Sequence, residues 1–171
     1  MNNNTPGGSR NRSWAGVARA DRTLSAAALP AAPGTYCLWL QLETPLRIPV
    51  GRIGELSLPP GLYAYAGSAL GPGGLQARAG RHLRAEKPLR WHIDWLTVRI
   101  PVAAIWYRTG RERLECAWAQ AILQAPGASI PLRGFGASDC ACPAHLFAVP
   151  SAALDGLWVA LSPDGALSTP D

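Results

Sequence analysis

The chain has 171 residues, a net charge of +5 and 48% hydrophobic residues, which suits one compact domain with a buried core. No run of about 18 apolar residues occurs, so we expect neither a membrane-spanning helix nor a membrane partner. The N-terminal stretch MNNNTPGGSRNR lacks the apolar centre of a secretory signal, which predicts a cytoplasmic protein.

The predicted elements follow one another along a single domain. Residues 1–30 indicate a disordered basic arm and a short helix, residues 31–150 the folded domain and residues 151–171 a loosely held tail. The stretch TYCLWLQL predicts a strand at 35–42, with residues 46–51 as its hairpin partner. Further predicted elements are a strand at 62–68, a helix at 74–85, a strand within 101–110, a helix at 111–124 and a strand at 145–149.

Residues 87–98 fit either a short helix or a strand. The order of the other elements predicts a mixed α/β fold with a small, mainly antiparallel central sheet flanked by helices.

Positive charge is concentrated in residues 76–113, which hold nine of the 16 Lys and Arg residues. A field of this kind suits a polyanion, because each neutralised phosphate releases counterions. We therefore expect nucleic acid as the partner. The alternative is a solvated basic face in an arginine-rich chain.

Tyrosine, arginine and histidine follow one another in residues 61–83. Period two places Tyr63 and Tyr65 on one strand face, and the four-residue spacing places Arg78 and His82 on one helix face. An arginine in such a place can bind a phosphate, and a histidine can contact a phosphate oxygen or a water. The alternatives are ordinary packing for the tyrosines and a solvated basic face for the helix.

Glu115 lies beside the apolar stripe of the predicted 111–124 helix. One carboxylate, together with waters and a substrate phosphate, is a usual way to hold Mg²⁺. The alternative is a surface ion pair with Arg111 one helical turn away.

Cysteine and histidine alternate in the stretch SDCACPAHL. Cys140, Cys142 and His145, with Cys116 or His92 as an additional ligand, could bind Zn²⁺, which takes four such ligands in a tetrahedron. The alternative is a set of buried thiols behind a turn that Asp139 caps.

The order of these residues resembles the motif set of the GIY-YIG nuclease family. The matching stretches are GTY at 34–36 and YAG at 65–67, followed by Arg78, His82 and Glu115. The resemblance is strongest to a branch described as a domain of unknown function. That branch is marked by YAGSA, RAGRHL, WHID, EC and SDCACPAHLF as they stand here. The likeness covers residues 34–149 and implies a GIY-YIG-like nuclease domain.

The resemblance also implies roles for individual residues. Tyr36 and Tyr65 would flank the attacking water, Arg78 would bind the scissile phosphate and His82 would assist. Glu115 would hold one Mg²⁺ or Mn²⁺ ion. Two features depart from the family: residues 43–61 add a hairpin between the tyrosine motifs, and Ser68 replaces the lysine of the repair nucleases. The branch's own motifs contain His92, Asp94, Cys116, Asp139, Cys140, Cys142 and His145.

The leading expectation is therefore a divalent-metal-dependent DNA endonuclease that hydrolyses phosphodiester bonds, with DNA repair as its setting. A second hypothesis is a nucleic-acid-binding module without catalysis, in which Trp91, Trp95 or Trp106 stacks on bases. A third is an interaction domain stabilised by zinc.

Overall fold

The computed structural model describes residues 22–169. Most of the predicted basic arm therefore lies outside the described residues. The strands are β1 (Arg22–Thr23), β2 (Gly34–Leu42), β3 (Leu46–Val50), β4 (Gly54–Leu58), β5 (Gly61–Ala69), β6 (Val102–Thr109), β7 (Leu146–Val149) and β8 (Gly165–Ser168). The helices are α1 (Gly74–Arg81), α2 (His92–Thr97), α3 (Glu115–Gln124) and α4 (Leu154–Leu161), with short 3-10 turns at Ala26–Ala28 and Ser151–Ala153. Within residues 22–169, no helix has the length and apolarity that a bilayer crossing requires.

The main sheet has the strand order β1-β8-β6-β2-β5-β7. All neighbours pair antiparallel except the two-residue strand β1, which pairs parallel with β8. Strand β2 lies at the centre and pairs along its full length with β5, from Gly34 opposite Ala69 to Leu42 opposite Gly61. The predicted mixed α/β fold with a mainly antiparallel sheet is therefore confirmed.

Both faces of the sheet are covered. On one face, Tyr36, Leu38 and Leu40 join a core with α1, α2 and the hairpin of β3 and β4. On the other face, Cys37 and Trp39 join a core with α3 and α4. A strand covered on both sides is apolar throughout rather than alternating, and this explains the nearly continuous hydrophobic run of β2.

The prediction that residues 46–51 form a hairpin with the strand at 35–42 is wrong. Strand β3 does not pair with β2; it pairs antiparallel with β4 to form a separate two-stranded sheet. The central strand has both edges occupied by β5 and β6, so it has no free backbone groups for β3. The inserted hairpin contributes Ile48, Val50 and Leu56 to the core above the sheet.

Helix α1 ends four residues earlier than predicted, because a lysine closes it. The ammonium group of Lys87 donates hydrogen bonds to the carbonyls of His82 at 3.0 Å and Arg84 at 2.9 Å. These carbonyls have no partner in a continuing helix, and a cation is favourable at this end of the helix dipole. The ambiguous stretch 87–98 contains helix α2.

Residues 151–168 are not a loose tail. Helix α4 buries Leu154, Leu157 and Leu161 against α3 and the sheet. Strand β8 then pairs with β6, with Ile105 opposite Leu167. The Ala, Ser and Pro content of this stretch obscures a leucine stripe at helical spacing, which is the signal that predicts a packed helix.

The packing of α4 predicts different effects for two substitutions in that helix. Leu157→Ala should lower the free energy of unfolding by about 2–5 kcal/mol, because the side chain is buried and truncation leaves a cavity. Val159→Ala is the control, since Val159 is 76% exposed; it should change stability by no more than about 0.5 kcal/mol. Urea unfolding of both variants provides the measurement, and equal effects would contradict the burial of α4.

Candidate functional site

A polar pocket of about 470 Å³ opens between β5, α1, α2, the start of α3 and the loop before β7. Its charged and polar lining residues are Tyr65, Ser68, Arg78, Arg90, His92, Arg113, Glu115, Cys116, Ser138, Asp139, Cys140 and His145. Three arginines and two carboxylates therefore face one space, which we call the central pocket. Tyr65, Arg78 and Glu115 come together here from positions fifty residues apart in the chain, as the resemblance implies.

Tyr36 and His82 lie behind the central pocket and not on its lining. The Tyr36 hydroxyl is 2.9 Å from His82 Nε2, and both residues are 1% exposed. The Tyr36 ring lies directly on Gly67, its partner across the β2–β5 pair. A Cβ atom on Gly67 would be 2.5 Å from Tyr36 Cζ. The glycine of the YAG stretch is therefore required by the tyrosine of the GTY stretch.

Burial controls the protonation of both tyrosines. It raises the pKa of Tyr36 and of Tyr65 well above the ordinary value of 10.0, and the nearby Arg78 cation only partly offsets it. The negative charge of Glu115 raises both values further. Each phenol is therefore neutral at physiological pH and acts as a hydrogen-bonding group rather than a phenolate.

Arg78 is exposed at the mouth of the central pocket. Its guanidinium carbon lies 4.3 Å from the centre of the Trp91 ring, and that of Arg81 lies 4.6 Å from the same ring. Arg81 is bound by Asp94 at 2.6 Å and by the Pro88 carbonyl. The Arg78 guanidinium also makes a hydrogen-bonding contact with the Tyr36 hydroxyl, and Trp91 restricts its position at the pocket.

Asp94 is fully buried beneath the central pocket. Besides Arg81, it accepts hydrogen bonds from the backbone N–H groups of Arg90 and Trp91 at 2.9 and 3.0 Å, which caps α2. Burial alone would raise its pKa, but its contacts with His82, Arg81 and these N–H groups hold the pKa well below 3.8. Asp94 is therefore ionised and anchors the start of α2.

The His82 ring lies between this carboxylate and Tyr36. Its Nδ1 is 3.7 Å from Asp94 Oδ1, which exceeds a hydrogen bond, and it has no other partner. Burial lowers the pKa of His82 despite the carboxylate, so the ring is neutral at physiological pH. A proton on Nδ1 would face Asp94 and leave Nε2 to accept from Tyr36.

Glu115 begins α3 and contacts His145 rather than Arg111. Its Oε1 is 3.1 Å from His145 Nδ1, a short contact that is too bent for an ideal hydrogen bond. Burial alone would raise the pKa of Glu115, but contacts with His145 and the Ser68 hydroxyl hold it below 4.5. The carboxylate is ionised and 26% exposed, and it faces the central pocket.

A second group of chemical interest adjoins Glu115. This group, the cysteine cluster, consists of Cys116, Cys140, Cys142 and His145, whose ligand atoms all lie within 4.8 Å of one another. Cys140 Sγ lies 3.4 Å from His145 Nε2. These four residues could hold a metal ion. Burial, together with the neighbouring thiols, raises the pKa of Cys142 to about 12, so three thiolates here would need a cation.

The two remaining branch-motif residues lie at the rim. His92 lines the central pocket, but its Nδ1 accepts the Gly136 N–H at 3.0 Å, so it is not part of the cysteine cluster. Asp139 is exposed and lines the pocket, and it is not a member of the cysteine cluster. Sequence reasoning missed Arg90, Arg113 and Ser68 as lining residues. The signal for the two arginines was the basic segment in which both lie.

The burial of Asp94 predicts a pH-dependent loss of stability. Its folded pKa is below the unfolded value of 3.8, so its contribution is complete above about pH 5 and is lost as the pH falls further. Asp94→Asn should lower the free energy of unfolding at pH 7 by about 3 kcal/mol, because Arg81 loses its partner. The variant should also lose less stability than the wild type between pH 5 and the acid range.

Chemical denaturation across this pH range checks both effects. Glu112→Gln is the matched control, since Glu112 is an exposed carboxylate; it should keep the stability and the pH dependence of the wild type. An Asp94→Asn variant as stable as the wild type at pH 7 would contradict the buried ion pair.

Comparison with protein families identifies a match over most of the chain. The family model described as "Domain of unknown function DUF123" matches residues 35–158, which is most of the chain and includes the central pocket and the cysteine cluster. No curated protein and no solved structure matches the chain significantly. The wider relationship to GIY-YIG nucleases therefore stays a prediction. The chain belongs to the family described as domain of unknown function DUF123.

Proposed function

We propose that the central pocket binds the phosphate backbone of DNA and hydrolyses a phosphodiester bond with the help of a divalent cation. The observation that carries this proposal is the position of Tyr65, Arg78 and Glu115 on the lining of one pocket. Tyr36 and His82 support it from behind through their 2.9 Å contact. A phenol, a guanidinium and a carboxylate facing one space are the groups that phosphoryl chemistry uses.

The arginines of the central pocket would bind the phosphate. Arg78 lies against Trp91 and lines the pocket, and a guanidinium can bind two phosphate oxygens at once. Arg90 and Arg113 line the same space and are exposed. Their charges attract a backbone with several phosphates, so binding should weaken strongly as salt rises.

The donor set fits a hard cation at Glu115. An ionised carboxylate that faces a polar pocket, with waters and a phosphate oxygen, is a usual Mg²⁺ or Mn²⁺ environment. Such an ion supplies Lewis acidity and neutralises charge on the phosphate when it is bound. Glu115 is kept ionised by His145 and Ser68, which keeps a carboxylate oxygen available at neutral pH.

Tyr65 is the phenol that can contact the reacting groups, because it lines the pocket and Tyr36 does not. Being neutral, Tyr65 would orient an attacking water or donate to a phosphate oxygen. The buried side chains of Tyr36, His82 and Asp94 lie next to one another in that order. Together they hold the end of strand β2 in place beneath Tyr65. We assign Tyr36 and His82 to positioning rather than to direct contact.

The second candidate is a DNA-binding module without catalysis. It is favoured by the raised pKa of both tyrosines and by the contact of Glu115 with His145. Base stacking in such a module cannot involve Trp106, which is fully buried beneath α4. Trp91 and Trp95 are partly exposed and stay candidates for that role.

The test is nicking of supercoiled plasmid with Mg²⁺ or Mn²⁺. The wild type should cut, and Arg78→Ala and Glu115→Gln should each slow cutting by about 100-fold or more, as loss of a charge-stabilising group does. Arg99→Ala is the control, because Arg99 is exposed and lines a different cavity; it should cut nearly as fast as the wild type.

Binding of the same DNA, measured at several salt concentrations, separates the two candidates. Salt-sensitive binding without cutting in either metal would support the binding module and refute the nuclease. Cutting that survives both pocket substitutions would show that the central pocket is not the source of the activity.

A further inference from the structure

The cysteine cluster joins helix α3 to the segment before β7. Cys116 lies in the first turn of α3, and the other three members lie in the segment before β7. That segment, residues 125–145, runs for 21 residues with no helix or long strand. Irregular segments of this length in a compact domain usually serve a function or need an added constraint. A cross-link between this segment and α3 would provide one.

The chemistry of the cluster specifies its ion. Thiolate sulfur and imidazole nitrogen are soft or borderline ligands that favour Zn²⁺ over Mg²⁺ or Ca²⁺. A tetrahedral site with zinc–sulfur bonds of about 2.3 Å has ligand–ligand edges of about 3.8 Å. The 3.4 Å between Cys140 Sγ and His145 Nε2, and the 4.8 Å limit on all pairs, need only small movements to reach that geometry.

Contacts at both ring nitrogens orient His145 for metal binding. Its Nδ1 faces Glu115 Oε1 at 3.1 Å, while its Nε2 faces Cys140. The ring is also fixed by its backbone, because the His145 N–H donates to the Phe135 carbonyl at 2.7 Å and its carbonyl accepts from Ala66 at 3.0 Å. A carboxylate on one ring nitrogen with a metal on the other is a recurring arrangement in zinc proteins, where the carboxylate fixes the ring and strengthens the ligand.

We infer that the cysteine cluster binds one structural Zn²⁺ ion and that Glu115 is its supporting carboxylate through His145. The ligands are Cys116, Cys140, Cys142 and His145. Four protein ligands leave no open position, so the ion cross-links the chain and does not activate water. Because the same carboxylate faces the central pocket, zinc also restrains one wall of that pocket. Zinc binding itself does not depend on the proposed nuclease activity.

The first experiment is elemental analysis of the full chain, purified without chelators and without a histidine tag. We expect about one zinc per chain, as in a closed four-ligand site. Cys140→Ser and Cys142→Ser should each lose the zinc. Cys37→Ala should keep it, because Cys37 is buried in the core between the main sheet and helices α3 and α4. Replacement by Co²⁺ should give the intense visible bands of a tetrahedral thiolate site.

Folded wild type that is free of zinc, and that also fails to bind added Zn²⁺ or Co²⁺ under reducing conditions, would overturn the inference. So would zinc that persists in Cys140→Ser and Cys142→Ser. Because metal content is measured without DNA, a failed plasmid assay leaves this result unaffected.

The second experiment tests the role of Glu115. Glu115→Gln should still bind zinc but with an affinity lower by about 10–100-fold, which is the usual effect of removing such a supporting group. Competition with a chelator of known affinity measures it. Glu112→Gln, three residues earlier and exposed, should match the wild type. Equal affinities for Glu115→Gln and the wild type would refute the supporting role while leaving the four ligands in place.

Discussion

The nine-residue antiparallel pairing of β2 with β5 is the constraint on which the central pocket depends. Its register places Tyr36 opposite Gly67, and only a residue without a Cβ lets the ring lie flat on the neighbouring strand. That position brings the Tyr36 hydroxyl to His82, at the end of the helix that presents Arg78. A shift by one residue would turn every side chain of the strand to the other face. The register of one strand pair therefore decides whether tyrosine, histidine and arginine meet.

Charge is arranged in two layers around this strand pair. In the buried layer, Asp94 is matched by Arg81 and by the capping N–H groups of α2, so a charge without solvent keeps a full set of partners. In the exposed layer, Arg78 contacts the face of Trp91 and lines the central pocket. The contacts of the buried layer fix the position of the exposed layer. The exposed layer contains the groups that can bind anions. Trp91 connects the two, since it contacts both arginines.

Much of this fold could be predicted from local pattern, and some of it could not. The strands β2, β5 and β6 are marked by apolar runs, which predict strands but not the pairing of β2 with β5 and β6. The pairing of β3 with β4 could not be read from sequence, because a strand pattern does not name its partner. Helix α4 was missed because small residues obscure its three leucines. For the site, the spacing predicted one helix face for Arg78 and His82, but Arg78 is exposed on the central pocket and His82 is buried off its lining. The meeting of Tyr65 with Glu115 needed the resemblance, since no local rule joins residues fifty positions apart. The choice of Cys116 over His92 as fourth member of the cluster needed coordinates, because the Gly136 N–H occupies the His92 ring nitrogen.

The contact between Glu115 and His145 places two kinds of metal chemistry side by side. One side of the contact offers carboxylate oxygen to a solvent-filled, arginine-rich pocket, and the other offers three thiols and an imidazole at the edge of the core. Hard cations that keep their waters suit the first, and soft cations that lose them suit the second. The two sites therefore need not compete for one ion, although they share a side chain. A carboxylate that accepts the Nδ1–H of a zinc-bound His145 has less negative charge to offer in the pocket. Under the proposed function, the state of the cysteine cluster would set how strongly Glu115 attracts a cation beside a phosphate.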